Sequence, residues 1–309
     1  MYREKTFTPY ISMVVSGRND LHCGNFVERL NNTLRMLDYH SKIYKFDLEY
    51  VIVEWNPHSG DKLVDVLYKP SSANLKVRVI TVSNELHLQV PTTEFDAPKA
   101  DEMTFFQGIA QNVGIRRANG EFVLVTNGDI ILNHLMWECI KNIELKDDHF
   151  YRTPRFDSTN VIPTSLHVSE IVSFLDKTST MRGKIKPGML YTKAAGDFIL
   201  AHKSTFNEVM GFPEMRCDGL KIDGDILQSM IINKNQCIIG TPAKIYHQFH
   251  ENRYESAYNL ADHVRLRPKS KVAIKVIDSY SSLKTISTVI SRNNNNWGLK
   301  GIQLPEDIL

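Results

Sequence analysis

Acidic and amide side chains follow several of the apolar runs of this chain, in positions where a ligand carrying phosphate would be held. Phe122 to Val125 reads as a buried strand that runs directly into Asn127-Gly128-Asp129. In an open α/β sheet, ligands bind in the crevice beyond the carboxyl ends of the strands. A carboxylate there, beside a glycine that lets backbone approach a ligand closely, suits a metal–phosphate site. Taken alone, Asn-Gly-Asp is more ordinarily a turn. The same arrangement recurs, however. Ser16-Gly17-Arg18-Asn19-Asp20 follows the run Ile11 to Ser16, Glu54 follows Tyr50 to Val53, and Asp223-Gly224-Asp225 opens a helix. Several such groups at one sheet edge form a single polar crevice, which turn chemistry does not explain.

Two further groups could add chemistry. His247 and His250, spaced three apart after a short strand, can share one side if the segment turns. A lone histidine is more often a structural hydrogen-bonder. Joined with Asp129 and diphosphate oxygens, an imidazole completes a mixed N/O site for Mn²⁺ or Mg²⁺. Asp223 and Asp225 have two readings of equal weight. They are first-turn acids that favour a helix dipole, or one of them is a general base that takes a proton from an acceptor hydroxyl. Trp55, beside Glu54, is either a stacking platform or a core residue.

The elements that must position these residues alternate. Ile11 to Ser16 is a strand, and Phe26, Leu30, Leu34 and Leu37 then mark one face of a helix. Tyr50 to Val53 and Val77 to Val82 are strands, and a helix around Thr104 to Ala118, stopped by Gly120, leads to the strand before Asp129. This order predicts a mostly parallel, Rossmann-like α/β sheet with helices on both faces. Asp147 to Lys193, with Pro154, Pro163 and Pro187, reads as loop-rich and suited to acceptor recognition. Regular structure is expected again at Gly196 to Ser204, Phe206 to Met210, Gly224 to Asn233, Cys237 to Gly240 and Lys244 to Tyr246. The stretch after Arg253 is basic and polar, with Arg265 to Lys271 and the Asn293 to Asn296 tract, and reads as an extension wrapped on the domain.

Composition narrows the partners. With 37 Lys and Arg against 35 Asp and Glu, the net charge is +2 over 309 residues, so no general affinity for nucleic acid is expected. Cys23, Cys139, Cys217 and Cys237 form no CxxC pair, which argues against zinc and for reduced thiols in the cytoplasm. No apolar stretch reaches the roughly 20 residues of a transmembrane segment, and the start has no signal-peptide core. No GxGxxG follows Gly17 and no GxxxxGK[ST] occurs, so dinucleotide and P-loop schemes are not supported.

In this order the motifs resemble the family 2 glycosyltransferases and related nucleotide-sugar transferases of the GT-A fold, across roughly Ile11 to Arg253. Ile11 to Val15 is similar to the family's opening strand, with Arg18-Asn19-Asp20 at the nucleotide loop and Val51 to Glu54 at the strand ending in a base-contacting acid. Asn112-Val113-Gly114-Ile115-Arg116 with Ala118 and Gly120-Glu121-Phe122 is similar to the N-x-G-x-x-x-A-x-G-[DE]-[FY] run. Asn127-Gly128-Asp129 stands at the DxD position, with Asn127 replacing the first acid. Gly196-Asp197-Phe198 to Gly211-Phe212-Pro213-Glu214, Asp223-Gly224-Asp225-Ile226-Leu227 and His247-x-x-His250 match later motifs.

The resemblance implies a GT-A domain over 1–253, with a nucleotide-sugar-binding half at 1–133, an acceptor half at 134–253, and a C-terminal extension at 254–309. It implies a metal-dependent, inverting transfer from a UDP or GDP sugar to a glycan or other hydroxyl acceptor. Asp129 and His247 would hold Mn²⁺ or Mg²⁺, and Asp223, with Asp225 as the alternative, would be the base. Ser16, Arg18, Asn19, Glu54, Trp55, Asn112, Arg116, Asn127 and Gly128 would contact the nucleotide sugar. A non-catalytic nucleotide-sugar binder and a sugar nucleotidyltransferase are the alternative readings.

Overall fold

A computed structural model describes residues 7–19, 24–58, 62–90, 104–183, 185–186, 188–214, 222–250 and 293–309. Its first half is β1 (Ile11–Gly17), α1 (Phe26–Tyr44), β2 (Leu48–Trp55), α2 (Leu63–Val66), β3 (Leu75–Val82), α3 (Asn84–Gln89), α4 (Gln107–Arg117) and β4 (Phe122–Val125). Then follow β5 (Ile130–Leu132), α5 (His134–Asn142), β6 (His149–Arg152), β7 (Arg155–Ser158), α6 (Ile171–Thr178) and β8 (Ser179–Met181). The remainder is β9 (Ile199–His202), α7 (Lys203–Val209), α8 (Ile222–Met230), β10 (Asn235–Ile238), β11 (Ile245–His247) and β12 (Glu306–Ile308).

The main sheet has eight strands in the order β10-β6-β9-β4-β1-β2-β3-β12. β1 pairs in parallel with both β2 and β4, and β2 with β3, while β9 and β12 run antiparallel to their neighbours. Every residue of β2 is buried, as expected for a parallel strand covered on both faces. On one face Leu30, Leu34 and Leu37 of α1 pack with Met136 and Trp137 of α5. The opposite face is covered by Ile109, Val113, Phe206, Ile226 and Leu227. Gly114 allows that second contact, because a Cβ there would lie 2.4 Å from Val14 Cγ1. The expected mostly parallel sheet flanked by helices is therefore the architecture of this chain.

Several local expectations need correction. α4 ends at Arg117, before Gly120, and Gly120 serves a close approach instead: a Cβ there would meet Ser12 N at 2.5 Å. The stretch 147–193 is loop-rich, as expected, but it also holds β6, β7, α6 and β8. Strands of three or four residues are too short to show alternation, and Pro154 separates β6 from β7. α8 starts at Ile222, so Asp223 lies inside its first turn. β7, β8, β5 and β11 form a second sheet in the order β5-β11-β7-β8. Within the expected extension, Trp297 is buried and β12 pairs with β3. Asp20, Cys23, Cys217 and the basic run 265–271 lie outside the described residues. Among the described residues no helix is long and apolar enough to cross a membrane.

Candidate active site

Asp129 occupies the bend between β4 and β5, at the carboxyl edge of the main sheet. β11 runs beside β5 with His247 opposite Ile130, which brings the imidazole to the carboxylate. Asp129 Oδ2 lies 3.7 Å from His247 Nε2 and 3.7 Å from His250 Nε2, and the two imidazole nitrogens are 3.3 Å apart. One ligand atom from each of the three residues falls within 4.8 Å of the others. Two imidazoles and a carboxylate form a mixed donor set that suits Mn²⁺. The harder Mg²⁺ prefers an all-oxygen shell and fits this set less well. The structure therefore brings His247 beside Asp129 and places His250 with them as a third candidate ligand.

Two residues with no sequence signal support this cluster. Arg29 of α1, itself buried, donates from Nε to Asp129 Oδ2 at 3.2 Å. Burial would raise the Asp129 pKa, but His247, Arg29 and His250 together bring it below the ordinary value. Asp129 is therefore held as an anion. Gln248, also buried, donates its backbone N–H to the Asp129 carbonyl at 3.2 Å and its side-chain amide to the Arg29 carbonyl at 2.8 Å. It fixes the histidine segment against α1. Asp157, opposite His247 in β7, approaches the other imidazole nitrogen, with Oδ1 at 3.9 Å from Nδ1.

A second cluster surrounds Asp223. Its Oδ1 is buried without a hydrogen-bond partner, and Gly196 is the residue that makes room for the carboxylate. A Cβ on Gly196 would lie 2.6 Å from Asp223 Oδ2. Burial, with Asp197 and Asp225 adding like charge, pushes the Asp223 pKa up to about 7 against the opposing pull of Arg152 and the Gly196 N–H. A carboxylate poised near neutrality has the protonation behaviour of a general base. Asp225, roughly 200° around the helix from Asp223, is half-buried.

Asn127 is explained by the same cluster. Its amide donates to Asp197 Oδ1 at 2.7 Å, and Asp197 Oδ2 accepts from Arg155 at 2.8 Å. An aspartate at 127 would face another carboxylate at that distance, so the amide is the compatible residue. Arg152, fully buried, donates to the carbonyls of Tyr191, Lys193, Ala194, Ala195 and Phe198. It wraps the turn that carries Asp197.

The residues expected to contact the nucleotide divide into two groups. Ser16 and Asn19 are half-buried at the end of β1, where Arg18 donates to the Asn56 carbonyl at 3.4 Å. Glu54 lies at the end of β2, fully buried, with Oε1 accepting from the Leu63 N–H at 2.7 Å and Oε2 unpartnered. Burial raises its pKa above the ordinary value, partly offset by that N–H. Ser16, Arg18 and Asn19 thus lie together at the end of β1, and Glu54 is buried at the end of β2.

The others serve packing. Trp55 is 0% exposed and donates its indole N–H to His87 Nδ1 at 2.9 Å, so it presents no stacking face. Asn112 bonds both ways to the backbone of Phe212, at 2.8 and 2.7 Å. Arg116 donates to the Trp297 carbonyl at 2.6 Å and stacks on its ring at 4.1 Å. α4 runs antiparallel to the parallel strands, so its last turn lies at the far edge of the sheet from Asp129 and cannot serve phosphate there. Gly128 admits the Phe26 ring, with 3.3 Å to the position of a Cβ.

Strand order, crevice and helix placement define a protein of the GT-A-like α/β fold. The chain has the fold of TarS from S. aureus: it matches the crystal structure of TarS 1-349 in complex with UDP-GlcNAc with a TM-score of 0.50 and 17% identity. The match covers 83% of this chain and 64% of that one, so the chain spans less than two thirds of TarS 1-349. The UDP complex of TarS 1-349 matches at a TM-score of 0.44 and 16% identity, over 76% of this chain and 59% of that one. No protein-family model matches the sequence, and no curated protein does.

Proposed function

We propose that this protein is a metal-dependent, inverting glycosyltransferase of the family 2 type, moving sugar from a nucleoside-diphosphate sugar to a hydroxyl acceptor in glycan synthesis. The observation that carries the proposal is the convergence of Asp129, His247 and His250 at the carboxyl edge of β4 in a GT-A-like fold. UDP-GlcNAc, bound in the TarS structure, makes a UDP sugar the first donor to try, with GDP sugars second. The free thiols of Cys139 and Cys237 suit the cytoplasmic setting proposed with it.

Asp129, His247 and His250 would hold Mn²⁺. Such an ion supplies Lewis-acid stabilisation of charge on a leaving diphosphate. Arg18 would neutralise phosphate, and Ser16, Asn19 and Glu54 would meet the nucleoside at the ends of β1 and β2. Asp223 takes the proton of the acceptor hydroxyl. That oxygen forms a bond to the anomeric carbon as the bond to phosphate breaks on the opposite face, which inverts the centre. Asp225 is the second candidate for this proton.

Calorimetric titration with UDP-GlcNAc, UDP and GDP, each with and without Mn²⁺, tests the donor site beside Asp129→Ala. Mn²⁺-dependent binding of one nucleotide, lost in the variant, is the expected result. Failure of every nucleotide to bind under all conditions would overturn the proposal.

A further inference from the structure

We propose that Asp197, clamped between Arg155 and Asn127, is a positioning residue for the acid at Asp223 and joins it to the Asp129–His247–His250 cluster. This inference rests on the transferase reading for its purpose, although not for its test. Arg155 spans the two clusters. Its NH1 donates to Asp197 at 2.8 Å, and its Nε lies 2.6 Å from Asp157 Oδ1, the carboxylate facing His247. On the other side Asn127, two residues before Asp129, holds the second Asp197 oxygen at 2.7 Å. The backbone around Asp197 is equally constrained. Thr126 donates its hydroxyl to the Asp197 carbonyl at 2.7 Å, and Arg152 ties down the neighbouring turn.

The carboxylate of Asp223 rests directly on Gly196, so Asp197 and Asp223 keep a fixed relation. Other charged groups facing Asp223 are Arg152 from β6 and Asp225 from its own helix. On α7, which also covers α8, Lys203 donates to the Ala118 carbonyl and Glu208 pairs with Lys234, so neither competes. The half-neutralised charge of Asp197 is thus the adjustable one. Replacing it removes a negative neighbour, and removing Arg155 exposes that neighbour fully. The two substitutions must shift Asp223 in opposite directions, which a merely structural role would not do.

The test is a ¹³C-carboxyl NMR titration of the full chain labelled at aspartate, with the Asp223 signal assigned by Asp223→Asn. The wild-type midpoint is expected near 7. Asp197→Asn should lower it by about one pH unit or more, a tenfold change in proton affinity or larger, and Arg155→Gln should raise it. If Asp197→Asn fails to fold, the upward shift in Arg155→Gln decides alone. A midpoint unmoved in the variants that fold overturns the proposal. The titration needs no donor and no metal, so its failure leaves the nucleotide-binding result untouched, and the reverse holds too.

Discussion

The two edges of the main sheet differ in how completely they satisfy buried acids. At the amino edge, Glu49 accepts from the Asn119 N–H at 2.8 Å, the Asn119 amide at 2.6 Å, Arg78 at 2.8 Å and the Ser12 hydroxyl. Arg78 also forks onto Glu306 of β12 at 2.7 Å through both Nε and NH2. Each charge there has its partners. At the carboxyl edge, Glu54 Oε2 and Asp223 Oδ1 are buried and unpartnered. Satisfied buried networks hold a fold rigid, whereas an unsatisfied buried group is a stored cost. The amino edge satisfies its buried charges, and the carboxyl edge leaves two acid oxygens without a partner.

The sharpest break in that contrast is Asp223→Asn. The amide keeps shape but takes no proton, so transfer should fall by about 10²–10⁴-fold in kcat while nucleotide affinity stays the same. Steady-state transfer assays beside calorimetry check it. Unchanged kcat would move the base to Asp225. Next comes Glu49→Ala at the other edge, which leaves Arg78 to Glu306 and takes the acceptor from three further donors, the Asn119 N–H, the Asn119 amide and the Ser12 hydroxyl. Leaving a buried charge unpaired costs about 3–5 kcal/mol; with Glu306 still paired to Arg78 the lower end of that range is expected, readable by urea unfolding, and the folded fraction should still bind nucleotide. Loss of binding with intact stability would show that the edges are not separate in function.

How much of this division could be read from residue order differs by edge and by distance. β1 and β4 were legible because a β-branched or apolar run is a local signal, while Asp129 and His247 stood out as candidates by a carboxylate after such a run and by a His-x-x-His spacing. Arg29, 100 residues from Asp129, and Arg155, 42 from Asp197, carry no such signal, since only the folded chain brings them near. Asn112 and Arg116 misled for a related reason. They lie in a recognisable motif, but helix direction sends Arg116 to the amino edge and Asn112 into the turn at Phe212. The short strands β7 and β8 escaped notice because they hold too few residues to show a period.

A smaller effect is expected from Asp157→Asn. Its carboxylate faces His247 Nδ1 at 3.9 Å, too far for a direct hydrogen bond but near enough to orient the ring. Outer partners of ligating histidines typically contribute about 10–100-fold in metal affinity, and the lower end of that range is expected here. Mn²⁺ titration of the variant reads it. Affinity equal to wild type would restrict the metal site to Asp129, His247 and His250.

The finest comparison is the pH dependence of stability, where the two edges should have opposite signs. Burial would raise the Glu49 pKa, but its donors from Asn119, Ser12 and Arg78 outweigh burial and bring it below the ordinary value. Its contribution is present above about pH 4.5 and is lost as pH falls through the lower folded value. Asp223 is the reverse, raised to about 7 from 3.8. Its contribution is complete below about pH 4 and is lost as pH rises through about 7. Asp223→Asn removes only the second behaviour. The variant should therefore gain stability relative to wild type as pH climbs from about 4 to about 7, with a constant difference beyond that range. Urea midpoints measured across these pH values decide it. A constant difference throughout would mean that Asp223 titrates as an ordinary surface acid, and the carboxyl edge would then store no cost at this residue.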